Sequence, residues 1–188
     1  NFEKTETVEV KIGVSYVSIE NARENLEKET GNKSFDAVCK ETYNEWNELL
    51  SKIKVEGGTT EDKTVFYTAL YHTLIHPNTL NDFNGEYPEI KTGKIGKTDG
   101  TRYTVFSLWD TYRNVHQLMS LVYPQQQLDM VKSMLDMYDE NGWLPKWELN
   151  STETFTMVGD PASIVITDTY LKGIKDFDMQ QAQAFVEN

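Results

Sequence analysis

Cysteine, histidine and positive charge are scarce in this chain of 188 residues. It has one cysteine, three histidines, and 18 lysines and arginines against 30 aspartates and glutamates, for a formal net charge of −12. A single cysteine excludes an internal disulfide. Because an acidic surface repels phosphate backbones and anionic lipid, neither nucleic acid nor a membrane surface is expected as a partner.

Long hydrophobic runs are also missing. No segment approaches the roughly 20 consecutive apolar residues of a membrane-spanning helix. Residues 1–10 are charged and show no signal-peptide pattern, which leaves the compartment undecided. The chain is nevertheless 38% hydrophobic and 12% aromatic, too apolar for a disordered protein. We therefore expect one domain with a core, or one domain plus part of a neighbour.

The hydrophobic pattern changes period near residue 18. Residues 7–17 alternate as a half-buried strand does, and a lone strand needs partners, which we expect in an upstream sheet. Helical patterns follow, with N-caps predicted at Ser18, Ser34, Thr59 and Asp160. The sequence thus predicts a strand followed by a mainly α-helical region.

The helical region has helices separated by structured loops. Helices are predicted over residues 19–29, from 34, from 59, over 107–122, over 124–141, from 160, and after Asp178. Turn signals between residues 78 and 104 predict short strands or an ordered loop. Helix pairs joined by aromatic-rich loops indicate a helical toroid, of which this chain supplies about half. Cys39, on an apolar helix face, is expected to be buried.

One candidate site lies at Trp109, Asp110 and Arg113. The three side chains fall within one predicted helical turn. An indole stacks on the apolar face of a sugar ring, while a carboxylate and a guanidinium form forked hydrogen bonds with paired hydroxyls. The alternative is a capping aspartate beside a core tryptophan.

A second candidate is the loop that contains Trp143 and Trp147. Two tryptophans, with Pro145 fixing the backbone between them, suit a stacking wall in a carbohydrate cleft. The alternative is an anchor that packs the loop onto the helices. Glu153 and Asp160 are the remaining acidic residues near this wall.

Metal-binding patterns are weak. Of the three histidines, only His72 and His76 share helical spacing, and neither belongs to a metal motif. Residues 82–86 read Asp-Phe-Asn-Gly-Glu, part of a calcium loop, but they lack the distal glutamate that such a loop needs. A tight turn is the expected structure there.

Several segments together resemble glycoside hydrolase family 92. The resembling segments, which are colinear over nearly the whole chain, are residues 10–15, 22–26, 66–72, 82–87, 103–113, 142–145 and 157–161. The resemblance implies an exo-acting α-mannosidase with an N-terminal β-sandwich and an (α/α)6 toroid. Residues 1–18 would be the tail of the sandwich. Residues 19–188 would be the linker helix and an incomplete (α/α)6 catalytic domain.

The resemblance also implies calcium dependence and inversion at the anomeric carbon. Inverting hydrolysis needs a carboxylic acid and a carboxylate base. The family's Glu-Gly-Asn motif and Asp-rich motif, which carry them, do not occur before Asn188. We therefore expect the general acid, the base and most calcium ligands beyond residue 188, with calcium in the full-length enzyme and none bound by this chain.

By resemblance, the substrate-binding residues are those of the two tryptophan clusters. Asp110 would bind mannose hydroxyls with Arg113 in support, and Trp109, Trp143 and Trp147 would shape the pocket. Glu153 completes the set. The family's Gly-Asn-Glu-Thr is replaced around Glu153 by Asn-Ser-Thr-Glu-Thr, which is a departure from the pattern.

The function expected from the sequence is part of an α-1,2-type exo-α-mannosidase acting on mannose-containing glycans. The isolated chain is expected to be inactive, and to self-associate through apolar helix faces. The alternatives are a non-catalytic carbohydrate-binding module and another toroid enzyme, such as a polysaccharide lyase. Family habit implies a secreted, periplasmic or cell-surface location.

Overall fold

The computed structural model describes residues 7–178 and is mainly helical. Within those residues the helices and short strands follow one another in this order: α1 Ile19–Glu29, α2 Phe35–Leu50, α3 Thr60–Thr73, β1 Asn78–Thr79, β2 Glu86–Pro88, β3 Ile95–Lys97, β4 Tyr103–Thr104, β5 Phe106–Ser107, α4 Leu108–Thr111, α5 Val115–Val122, α6 Pro124–Asn141, β6 Trp147–Glu148 and α7 Pro161–Leu171. The helix predicted after Asp178 lies outside the described residues. The division at residue 18 into two domains stays a prediction.

The four predicted N-caps are confirmed. Ser18, Ser34, Thr59 and Asp160 each accept a hydrogen bond from the backbone N–H three residues on, which satisfies one donor of the first helical turn. Thr59 does so within a complete capping box. At the other end of α6, Gly142 takes the left-handed conformation (φ +83°) that ends the helix.

The strand predicted over residues 7–17 does not form. No partner strand for it is described between residues 7 and 178, and an unpaired strand lacks its hydrogen bonds. The segment lies along α1 instead, where the Asn25 side chain donates to the Val14 carbonyl at 2.8 Å. A Cβ added to Gly13 would lie 2.1 Å from the carbonyl oxygen of Ala22, so this close approach of the segment to α1 requires glycine.

The prediction of one continuous helix over residues 107–122 is wrong, because the structure divides it into α4 and α5. Asn114 has φ −153° and ψ −28°, outside helical values. The side-chain amide of Gln117 donates to the Tyr112 carbonyl at 2.9 Å, in place of a helical N–H. The break separates α4, which carries Asp110, from α5.

The core lies where α5, α6 and α7 pack on one another. Its buried apolar side chains come mainly from these helices and from the strands that precede α4: Leu70, Ile90, Tyr103, Phe106, Leu108, Met119, Tyr123, Met130, Val131, Met134, Leu135, Met137, Ala162, Val165 and Ile166. Leu108 is fully buried at the first position of α4. The turn that begins with the next residue, Trp109, is therefore anchored in the core by Leu108.

Three two-stranded antiparallel sheets hold the loops in place. They pair β1 with β4, β2 with β3, and β5 with β6. In the last pair, Phe106 lies opposite Glu148 and Ser107 lies opposite Trp147. This pairing brings the chain before α4 next to the loop that follows α6.

The first three helices keep large apolar side chains on the surface. Phe35, Tyr43 and Val65 are each more than 60% exposed, and α2 has no buried residue. Cys39 is exposed too, so the prediction of a buried thiol is wrong, because little packs on α2 besides α3. Self-association through these faces stays a prediction. None of the helices within residues 7–178 combines the length and apolarity needed to cross a membrane.

Candidate functional site

Trp109, Asp110 and Arg113 lie together on one turn. The Arg113 guanidinium lies over the Trp109 indole, 5.0 Å from the ring centroid. Ser107 donates a hydrogen bond from Oγ to Asp110 Oδ2 at 2.5 Å. Asp110 and Arg113 are exposed and Trp109 is half-buried. The three groups predicted to bind a sugar are therefore adjacent and accessible.

The second tryptophan cluster joins the first through Ser107. Trp147 is paired with Ser107 across the β5–β6 sheet, and the Leu108 N–H donates to the Lys146 carbonyl at 3.3 Å. Ser107 thus contacts Asp110 through its side chain and Trp147 through strand register. The sequence predicted two separate clusters, and the structure joins them through the β5–β6 pairing.

Trp143 lines a cavity beside this junction. Its side chain is 60% exposed and packs edge-on against Phe155, with ring centroids 6.2 Å apart. The cavity has a volume of about 380 Å³ and is lined by residues on both sides of the loop, including Tyr138, Lys146 and Asp160. That volume lies within the range of small-ligand sites.

Glu153 is held by the loop itself. Its carboxylate accepts hydrogen bonds from the backbone N–H groups of Lys146 at 2.7 Å, Trp147 at 3.2 Å and Phe155 at 2.8 Å. The side chain therefore fixes the backbone on which Trp147 is presented. In the structure it fixes the shape of the loop, and its part in binding sugar stays a prediction.

Glu148 is a buried carboxylate that was assigned no role from the sequence. It is 0% exposed, and it accepts hydrogen bonds from Thr104 Oγ1 at 2.7 Å and from the N–H groups of Val105 and Ser151 at 2.9 and 2.6 Å. Burial raises the pKa of Glu148, and these hydrogen bonds oppose the rise. Alternation along β6 was the available signal, since it turns Glu148 inward when Trp147 faces outward.

Arg102 is the centre of a second buried network that the sequence did not reveal. The side chain is 1% exposed and forms ion pairs with Glu140 at 2.9 Å and Asp136 at 3.5 Å. Its guanidinium lies 4.5 Å from the centroid of the Tyr87 ring. Burial raises the pKa of Glu140, with Arg102 opposing the rise. This network fastens the chain before β4 to α6.

Among the residues that the structure describes, the histidines belong to no group that could hold a metal ion. His116 is buried, with Nε2 3.0 Å from Thr111 Oγ1 and Nδ1 3.1 Å from Gln127 Oε1. Burial lowers the pKa of His116, and the hydrogen bond that its Nδ1–H donates to Gln127 opposes this shift. Between residues 7 and 178, no group of three or more histidine, cysteine, aspartate or glutamate side chains is arranged to hold a metal ion.

The turn at residues 82–86 does not fit calcium either. Asp82 accepts hydrogen bonds from the amide groups of Asn21 and Asn25, at 2.8 and 2.7 Å, and from Ser15 Oγ at 2.6 Å. Both carboxylate oxygens thus face N–H or O–H donors, which repel a cation. The predicted tight turn is confirmed, and it ties the segment before α1 to the strand region.

Comparison with known proteins identifies the family. Residues 21–188 match the family model described as the glycosyl hydrolase family 92 catalytic domain. A curated relative from Arthroderma benhamiae, named an uncharacterized secreted glycosidase, is 27% identical over 173 residues. Those residues are 90% of this chain and 18% of the relative.

Two solved structures from Bacteroides thetaiotaomicron have the same fold. A family GH92 α-mannosidase in complex with mannoimidazole is 35% identical, with a TM-score of 0.85 over 90% of this chain and 22% of its own. A family GH92 inverting mannosidase is 30% identical, with a TM-score of 0.85 over 90% of this chain and 23% of its own. The chain therefore spans less than a quarter of the length of these two proteins.

The mainly helical fold class and the family resemblance inferred from the sequence are both confirmed. The family model accounts for all but the first 20 residues, and the structural similarity extends over nine tenths of the chain. This chain belongs to glycosyl hydrolase family 92.

Proposed function

We propose that this chain is part of an inverting, exo-acting α-mannosidase that removes terminal α-1,2-linked mannose from glycans. The observation that carries the proposal is the exposed turn of Trp109, Asp110 and Arg113, joined to Trp147 through Ser107. Membership of family 92 supports it, as do relatives named α-mannosidase and inverting mannosidase.

The proposed roles follow from the chemistry of the groups. Asp110 Oδ2 accepts from Ser107, and Oδ1, with no partner among the described residues, accepts hydrogen bonds from mannose hydroxyls. Arg113 donates to neighbouring hydroxyls while it stacks on Trp109. Trp143 and Trp147 offer apolar surface to the sugar ring. These groups select and orient the terminal mannose.

Proton transfer is assigned to no described residue. Inverting hydrolysis requires two carboxyl groups about 6.5–9.5 Å apart on opposite sides of the scissile bond. We propose that the acid and the base of the full-length enzyme lie beyond residue 188, so that the chain by itself does not turn over substrate. Calcium is proposed for the full-length enzyme, with most of its ligands beyond residue 188.

The partner is proposed to be a mannose-containing glycan, and the location to be secreted, periplasmic or cell-surface. A curated relative named a secreted glycosidase supports this location. The net charge of −12 also suits a neutral glycan better than a polyanion, because it repels anionic ligands.

The test is hydrolysis of α-1,2-mannobiose by the full-length protein, wild type and Asp110→Ala. The variant loses hydrogen bonds from a charged group, each worth about 1.5–3 kcal/mol, so two such bonds predict a fall in kcat/KM of about a hundredfold or more. Proton NMR of the first-formed sugar should show β-mannose, the product of inversion. Asp36→Ala, an exposed aspartate in the first turn of α2, is the matched control.

Two results would contradict the proposal. If the wild-type protein hydrolyses no α-mannoside, the proposed activity is wrong. If that protein still binds mannose, the chain belongs to a carbohydrate-binding module. Unchanged kcat/KM in Asp110→Ala, alongside an active wild type, removes Asp110 from the sugar site.

A further inference from the structure

Glu148 is hydrogen-bonded to two segments of the candidate site, the chain before α4 and the loop after β6. One oxygen, Oε1, accepts from Thr104 Oγ1 and from the Ser151 N–H, and the other, Oε2, accepts from the Val105 N–H. Thr104 and Val105 precede α4, and Ser151 lies in the loop after β6. One fully buried carboxylate therefore binds both segments that carry the proposed sugar-binding residues.

Both backbone donors have a conformation that their side chains disfavour. Val105 has φ +64° and Ser151 has φ +63°, in the left-handed region. For a β-branched residue such as valine this is a true outlier, because its Cβ meets the neighbouring carbonyl. A conformation of this kind persists only where the surroundings hold it. Here the Glu148 carboxylate contacts the N–H of each strained residue.

The strained residues set the direction of the chain into the site. Val105 is two residues before Ser107, which hydrogen-bonds Asp110 and pairs with Trp147. Ser151 is two residues before Glu153, whose carboxylate holds the backbone of the Trp147 loop. A change of φ at either residue would redirect the backbone on its own side of the junction.

We propose that Glu148 is a positioning residue of the mannose subsite, which holds Val105 and Ser151 in left-handed conformations so that Asp110 and Trp147 face the same sugar. The inference rests on the proposed function. Glu148 is 0% exposed, so it acts through the backbone and not by touching substrate. Displacements of about 1 Å at a reacting centre cost up to about a hundredfold in rate, so a buried clamp has a large effect on turnover.

The clamp consists of the hydrogen bonds from Thr104, Val105 and Ser151 to Glu148. It needs a carboxylate because Glu148 accepts all three of these bonds. Glutamine has nearly the same shape but offers one oxygen and one NH₂ group. With the oxygen kept between Thr104 and Ser151, the NH₂ group faces the Val105 N–H, and the two donors repel. Glu148→Gln therefore releases Val105 with little change in volume.

The proposal is tested with Glu148→Gln in the full-length protein, by kcat/KM on α-1,2-mannobiose and by amide hydrogen exchange. We expect a tenfold or larger fall in kcat/KM and faster exchange over residues 105–110 and 147–155. Adding Val105→Gly should restore at least half of the lost activity on a logarithmic scale, because glycine takes positive φ without strain. A role in stability alone predicts no such rescue.

The matched control is Glu140→Gln, which removes another buried carboxylate. Glu140 accepts the Ile90 N–H at 2.8 Å and pairs with Arg102, but it lies on α6 and accepts no hydrogen bond from Val105 or Ser151. Glu140→Gln should lower the melting temperature without faster amide exchange at residues 105–110. Adding Val105→Gly to this variant should not raise its kcat/KM.

The outcomes separate the two proposals. If wild-type protein hydrolyses no mannoside, the proposed function fails, and the exchange experiment alone decides the role of Glu148. The clamp is refuted if kcat/KM of Glu148→Gln falls less than tenfold, if its amide exchange is unchanged, or if Val105→Gly restores less than half of the lost activity on a logarithmic scale. Should Glu148→Gln not fold, Thr104→Val removes a single donor. A threefold or larger fall in its kcat/KM supports the clamp, and a smaller change overturns it.

Discussion

The buried guanidinium of Arg102 allows a sharp test of what holds the fold together. Replacing it by methionine keeps an unbranched apolar side chain of similar length and removes the charge. The replacement breaks the ion pair with Glu140, whose side chain is 8% exposed, and the one with Asp136, whose side chain is 45% exposed. It also removes the contact with the Tyr87 ring.

The size of the loss is set mainly by Glu140. A buried charge that loses its partner costs about 3–5 kcal/mol, whereas a half-exposed pair such as that with Asp136 contributes about 0–1 kcal/mol. Glu140 keeps the Ile90 N–H at 2.8 Å after the substitution, which favours the lower end of that range. We therefore expect Arg102→Met to lower the free energy of unfolding by about 3 kcal/mol at neutral pH.

The loss should depend on pH in a defined direction. Burial raises the pKa of Glu140 and Arg102 opposes the rise, so removal of Arg102 raises this pKa further. A group with a raised folded-state pKa stabilises the fold below its unfolded value, here 4.5, and that stabilisation is lost as the pH rises through the folded pKa. The deficit of Arg102→Met should therefore shrink as the pH falls towards 4.5.

The assay is urea unfolding followed by tryptophan fluorescence at neutral pH and near pH 5, at protein concentrations below those at which light scattering shows association. The double variant Arg102→Met with Glu140→Leu should recover most of the loss, since an apolar pair of similar volume avoids the buried charge. A deficit under about 1 kcal/mol, equal at both pH values, would refute this account of the network.

Two further predictions concern a close backbone approach and a buried histidine. A Cβ at Gly85 would lie 2.3 Å from the Thr98 carbonyl oxygen, whereas at Gly142, with a similar positive φ, it would meet nothing within 4 Å. Calorimetry should thus show Gly85→Ala costing more than about 3 kcal/mol and Gly142→Ala about 1–2 kcal/mol, and equal costs would contradict the close approach. Burial lowers the pKa of His116, so below pH 6.5 the unfolded chain binds a proton that the folded chain does not bind. The free energy of unfolding therefore decreases as the pH is lowered. His116→Gln should flatten that slope in urea unfolding, and an unchanged slope would contradict it.

Local sequence signals predicted the helix boundaries well. Ser18, Ser34, Thr59 and Asp160 cap helices as expected, because a capping side chain bonds to a backbone group only three residues away. Such contacts are fixed by spacing along the chain. They need no knowledge of how distant segments pack.

Features that depend on distant contacts could not be predicted in the same way. Arg102 is buried because Glu140, 38 residues later, pairs with it. The break at Asn114 is not marked in the apolar period, which runs through α4 and α5 without interruption. The strand expected over residues 7–17 lacks a partner strand among the described residues, and alternation alone does not supply one.

The candidate site was predicted in part. The composition of the turn at Trp109, Asp110 and Arg113 indicated sugar chemistry, and the structure shows the three side chains adjacent. Its connection to Trp147 depends on the β5–β6 pairing, which joins residues 40 positions apart. Alternation along residues 147–148 could have indicated that Glu148 faces inward, but nothing in the sequence indicated the pairing that buries it.

The most direct test of the sugar site is a crystal structure of the full-length protein soaked with α-1,2-mannobiose. The account predicts a terminal mannose with its hydroxyls about 2.7–3.2 Å from the Asp110 carboxylate, and its apolar face against one or more of Trp109, Trp143 and Trp147. Mannose bound elsewhere, with Asp110 contacting only Ser107 and solvent, would contradict it.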